Sequence, residues 1–111
     1  MAGLVFATSA MAEDHDCPNH PEATYTLSGD PDSDRAQLEK LVDYAKARGA
    51  VCIMAFYDGK GPANGKMLAF RRANWTMEQL TKSGVPEGTI SRVLRAAEKE
   101  DARKVQVILG P

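Results

Sequence analysis

Residues 50–57, AVCIMAFY, are apolar at every position and end on Asp58 and Gly59. Eight such residues with β-branched Val51 and Ile53 among them predict a central strand covered on both faces. In a chain of 111 residues, which holds one modest core and not two, the rest of the fold must be built around it. The strand runs directly into the glycine-rich loop DGKGPANGK, residues 58–66. A strand feeding such a loop invites comparison with a phosphate cradle, which needs Gly, four residues, then Gly-Lys-Ser/Thr. Here Lys60 stands where the first glycine belongs and Met67 where the magnesium-binding hydroxyl belongs. The loop is not a phosphate cradle.

The flanking elements follow from periodicity. ATYTLSG (23–29) alternates like a strand and stops at the Gly29-Asp30-Pro31 turn cluster. Leu38, Leu41, Val42 and Ala45 recur at helical spacing, with Asp32 or Ser33 as the expected cap, Lys46 and Arg48 at the negative end of the dipole and Gly49 as the closing residue. A second helix is predicted from about Lys66 to Lys82, with Ala69, Ala73, Met77 and Leu80 on one stripe; Gly84 ends it and Pro86 prevents its return. KVQVIL (104–109) is the last strand, with Val105, Val107 and Leu109 sharing a face. Between them, Ile90, Val93, Leu94 and Ala97 match a helical stripe, so Thr89–Arg103 reads as helix, with a short strand over Ile90–Leu94 as the other reading.

The N-terminus carries its own signal. GLVFATSAMA ends in Ala10-Met11-Ala12, the pattern cut by signal peptidase, and acidic residues come next. Residues 1–12 are therefore expected to be the back half of a secretion signal and 13–22 an acidic leader, with the domain over 23–111. Seven acids from Glu13 to Asp34, with no base among them, read as a solvated segment. No run reaches the length of a membrane-spanning helix. A formal charge of −1 leaves no excess of base for nucleic acid. Cys17 and Cys52 suit a single disulfide in an exported chain, or remain two free thiols, Cys52 then acting as a small apolar residue.

Few residues can carry chemistry. Asp58 closes the central strand, where open sheets with helices place binding residues. Arg72 lies in the first turns of the second helix, within folding-back distance. An acid and a guanidinium facing one opening would suit a zwitterion, with the amine at Asp58 and the carboxylate at Arg72. Arg71 is the expected bystander. His15, Asp16, Cys17 and His20 are potential metal ligands, but nothing downstream completes a closed zinc site, so no metal or other cofactor is expected. Trp75 falls off the apolar stripe and is read as packing against a loop. Both histidines precede the domain and Cys52 sits in an apolar run, which leaves no nucleophile–base pair for an enzyme.

The segment MAFYDGKGPANGKMLAFRRANWTMEQLTKSGVPEGTI resembles the core of the OmpA-like, peptidoglycan-associated domain family. Asp58 and Gly61 match that family's strand-end Asp and the Gly three residues on. Leu68, Arg72 and Ala73 match its helix-opening Leu-Ser-x-x-Arg-Ala, while Gly84, Val85 and Ile90 match its Gly-Val/Ile turn with the downstream Ile. ARKVQV matches its final basic strand. The resemblance spans about residues 23–109. It departs at Gly65-Lys66, where the family has Tyr-Asn, and at Ala55, Ala69 and Ala102; the Ile90–Val105 connection is also shorter.

The resemblance implies an α+β two-layer sandwich, βαβαβ(β), with a mixed sheet and helices packed on one face. It implies a non-catalytic module of the periplasm or cell envelope that binds the peptidoglycan stem peptide through diaminopimelate. Asp58 and Arg72 would be the ligand residues, with Gly61 shaping the loop and Arg103 in support. The altered loop leaves a second expectation, an exported scaffold of this fold that has lost the cell-wall ligand and serves as an interaction or structural domain.

Overall fold

The computed structural model describes residues 17–18, 21–47 and 50–110. The expected secretion signal and most of the acidic leader, with His15, Asp16 and His20, lie outside the described residues, as do Arg48 and Gly49. Among the described residues, four strands and two helices run in the order β1 (Ala23–Leu27), α1 (Pro31–Lys46), β2 (Ala50–Asp58), α2 (Gly65–Lys82), β3 (Ile90–Ala97) and β4 (Val105–Gly110). The sheet order is β1-β4-β2-β3. β4 is antiparallel to both β1 and β2, and β2 is parallel to β3. The sheet is therefore mixed, and the architecture is the α+β sandwich expected.

Alternation sorts the side chains. Tyr25 and Leu27 of β1, Val51, Ile53 and Ala55 of β2, and Val105, Val107 and Leu109 of β4 share one core with Leu38, Leu41 and Ala45 of α1 and Ala69, Ala73 and Leu80 of α2. The helices thus cover one face of the sheet. On the other face Cys52 is buried while Met54 and Phe56 are half-buried, so the cover expected on both sides of β2 is complete on one only. Cys17 is joined to Cys52, with Cα atoms 5.0 Å apart and a sequence separation of 35. In the chain-entropy model a closure of this length stabilises the fold by about 4 kcal/mol.

Two expectations are corrected. Residues 90–97 form a strand and not a helix, with a short 3-10 turn at Lys99–Asp101 after it. β2 is a central strand whose backbone must be paired on both edges, and Val51–Asp58 take Ile90–Ala97 as parallel partners. The apparent helical stripe is divided by the sheet: Ile90 and Leu94 pack on the helix-side core, and Val93 lies outside that cluster. The cap of α1 is Asp30, not Asp32 or Ser33. Its carboxylate accepts from the Asp32 amide, and Pro31 takes the first helical position, where a missing N–H costs nothing.

The end of α2 is as expected. Gly84 has φ +106; its amide donates to the Thr81 carbonyl at 3.0 Å and the Val85 amide to the Leu80 carbonyl at 3.0 Å. This is the paired bonding of a Schellman close, with buried Leu80 and Val85 as its apolar contact.

Candidate functional site

The C-terminal ends of β1, β2 and β3 and the start of β4 meet at one end of the sheet, as the partners Leu27–Val105, Ala55–Val105 and Asp58–Ala97 require. The turn from β1 to α1, the loop from β2 to α2, and the connection from β3 to β4 form the rim there. Among the described residues, three hollows open along it.

The first is a groove of about 310 Å³ between α1 and α2, lined by Gly29, Pro31, Asp34, Leu68, Arg71, Arg72, Trp75, Thr76 and Val105. Its α2 wall is one helical face: Leu68, Arg71, Arg72, Trp75 and Thr76 stand at i, i+3, i+4, i+7 and i+8. Arg72 is half-buried, and its Nη1 donates one long bond, 3.5 Å, to the Ala102 carbonyl. Burial first, and the nearby Arg103 guanidinium second, push its pKa below the ordinary arginine value. Arg71 is exposed and, among the described residues, its side chain reaches the Met67 thioether, at 3.7 Å. Among the described residues the ion pair formed is Lys104–Asp101, and neither Arg71 nor Arg72 has a carboxylate partner.

Asp34 supplies the opposite wall. It is 5% exposed, and its carboxylate takes three donors: the Ser28 amide at 2.8 Å, the Ser28 hydroxyl at 3.0 Å and the Gly29 amide at 2.9 Å. These bonds satisfy a buried charge and fix the β1–α1 turn. Gly29 has φ +93, and a Cβ there would lie 2.3 Å from the Arg103 carbonyl oxygen. The turn and the β3–β4 connection touch at this point, where only glycine fits. Trp75 packs on the core and carries the Arg35 guanidinium 5.9 Å from its ring centroid, so it is both a packing residue and a wall of the groove.

The second hollow, about 220 Å³, is lined by Asp58, Gly59, Lys60, Ala96, Ala97 and Glu98. Asp58 Oδ1 accepts the Lys60 amide at 2.9 Å, and the Gly61 amide donates to the Asp58 carbonyl at 3.0 Å. A Cβ on Gly61 would stand 3.1 Å from Asp58 Oδ2, so glycine leaves room for that oxygen. The third hollow holds Arg103 with Ser28, Asp30, Ser33, Lys99, Glu100 and Lys104.

The structure thus gathers Asp58, Gly61, Arg72 and Arg103 at one rim but sets Asp58, Arg72 and Arg103 in three different hollows, with Gly61 beside Asp58. Sequence reasoning missed Asp34, which was grouped with the solvated acids, and the place of Arg71 in the groove. The spacing of Leu68, Arg71, Arg72 and Trp75 carried the second signal. No group of His, Cys, Asp and Glu able to hold a metal occurs among the described residues, and no helix among them is long and apolar enough to cross a membrane.

No protein-family model and no curated protein matches the chain. Solved structures do. The periplasmic domain of Helicobacter pylori MotB is 15% identical with a TM-score of 0.64, over 85% of this chain and 83% of that one. The C-terminal domain of the same protein is 16% identical with a TM-score of 0.56, over 85% and 86%. The OmpA-like domain of FopA1 from Francisella tularensis is 13% identical over 68% and 60%, at a TM-score of 0.47 too low to argue from. The chain has the OmpA-like fold, as a divergent example of it.

Proposed function

We propose that the domain is a non-catalytic binding module of the cell envelope that holds the peptidoglycan stem peptide by its diaminopimelate. The observation that carries this reading is the Arg72 guanidinium. It is half-buried against apolar Leu68 and Val105 in an open groove, and it has no carboxylate partner among the described residues. A desolvated guanidinium left unpaired is costly, and an arriving carboxylate with bidentate geometry offsets that cost. The likeness to periplasmic domains and the Cys17–Cys52 disulfide support an exported location, in the periplasm or envelope.

The ammonium beside that carboxylate is assigned to Asp58. Asp34 already takes three donors, whereas Asp58 Oδ2 accepts no hydrogen bond from the described residues. Gly61 keeps the approach to Oδ2 clear, and Arg103 adds positive charge at the rim.

Co-sedimentation with insoluble diaminopimelate-type peptidoglycan at low salt tests the reading. Charged hydrogen bonds are worth about 1.5–3 kcal/mol, so Arg72→Ala and Asp58→Ala should each weaken binding roughly ten- to a hundredfold. Replacing diaminopimelate by lysine removes the carboxylate and should weaken it similarly. Wild-type protein that stays in the supernatant would overturn the reading. The scaffold reading, which the separation of Asp58 and Arg72 into neighbouring hollows favours, would take its place. N-terminal mass analysis of the exported protein tests the proposed cleavage after Ala12, with Glu13 expected first.

A further inference from the structure

The groove contains one more cation than a single carboxylate requires. Arg71 and Arg72 both line its α2 wall, because residues three and four positions beyond Leu68 project from the same helical face. A guanidinium carries five N–H donors. Arg72 commits one to the long bond with the Ala102 carbonyl, and Arg71 commits one to a thioether, a weak acceptor. Asp34 brings a negative charge to the opposite wall, yet its oxygens are taken up by Ser28 and Gly29 and it forms no ion pair with either arginine. Two adjacent guanidiniums with no ion-pair partner among the described residues, set between Pro31, Leu68, Trp75 and Val105, describe a site for two anionic groups borne on an apolar stem.

Resting on the cell-wall reading, we infer that Arg71 holds a second carboxylate of the same ligand, the main-chain carboxylate of a diaminopimelate at the free C-terminus of the stem peptide. A diaminopimelate at the end of the peptide offers its side-chain carboxylate and its main-chain carboxylate, joined by a short methylene chain. The same residue inside a longer stem peptide has its main-chain carboxyl locked in an amide and offers only one. Arg71 therefore makes the groove selective for stem peptides trimmed back to diaminopimelate, and Arg72 supplies the recognition common to both forms. Arg71 is exposed and its contact with Met67 is local, so its replacement leaves the fold intact.

Calorimetric titration with two synthetic tripeptides ending in diaminopimelate tests this, one with the terminal main-chain carboxylate free and one with it amidated. Wild-type protein should bind the free acid roughly tenfold more tightly. Arg71→Gln should lose that preference and bind both peptides as the wild type binds the amide, while Arg71→Lys should retain part of it. Equal wild-type affinity for the two peptides, or an Arg71→Gln loss of the same size on both, overturns the inference and leaves the cell-wall reading standing. Failure of the wild type to bind either peptide at low salt removes both.

Discussion

The β1–α1 turn and the β2–α2 loop sit on the same rim, each comes after a strand, and each carries an aspartate, yet they are held in opposite ways. In the first, buried Asp34 gathers the Ser28 and Gly29 amides and the Ser28 hydroxyl, and Gly29 is locked against the Arg103 carbonyl. In the second, Asp58 makes one short-range bond to Lys60, residues 59–64 are exposed, and Asn64 caps α2 without a side-chain hydrogen bond. One acid organises the fold from inside; the other is half-buried at the mouth of its loop. The contrast teaches that a buried acid must have its charge satisfied by its own turn, whereas one that reaches water need not.

The comparison breaks most visibly at Asp34. Asp34→Ala strands three donors and should destabilise the domain by about 3 kcal/mol, measured by denaturant unfolding. An effect below about 1 kcal/mol would mean that the turn is held by something else. Next comes Gly29→Ala, which combines a left-handed φ with a Cβ pressed on a backbone oxygen; a loss of about 2 kcal/mol is expected.

On the soft side the effects are smaller and one has the opposite sign. α2 has no acid in its first turn, so Asn64→Asp should raise stability by about 0.5 kcal/mol through the helix dipole, seen as a higher Tm. The backbone at Asn64, φ −84 and ψ 2, is not the extended geometry of a bonded cap, which is why a full cap gain is not expected. Asp58→Ala should change stability by less than about 0.5 kcal/mol while weakening peptidoglycan binding. If it unfolds the domain as Asp34→Ala does, the two regions are alike and the contrast fails.

Arg72 sharpens the same point. Burial and Arg103 disfavour its charge in the folded state, so Arg72→Gln should leave the melting temperature unchanged or higher even as binding is lost. A clear drop in Tm would make Arg72 a structural residue that braces Ala102, and would remove the main support for the ligand reading.

The sequence by itself determined most elements of the scaffold. AVCIMAFY read as an interior strand, Gly84 as a helix end from which Pro86 bars return, and the alternation of Val105, Val107 and Leu109 showed which face of β4 is buried. These are local consequences of period, steric freedom and apolar content. The places of Asp58 at the end of β2 and of Arg72 in the first turns of α2 were also legible. Tertiary structure alone decided the remainder. Ile90–Ala97 looks helical in isolation and becomes a strand because β2 has a second edge to satisfy. Asp34 looks solvated among its acidic neighbours and is buried because the β1–α1 turn closes over it with three donors. Whether Asp58 and Arg72 share one hollow depends on how a loop and a helix pack against the β3–β4 connection. Period and composition record which way a side chain points from its own element; they carry no record of what another element brings opposite it.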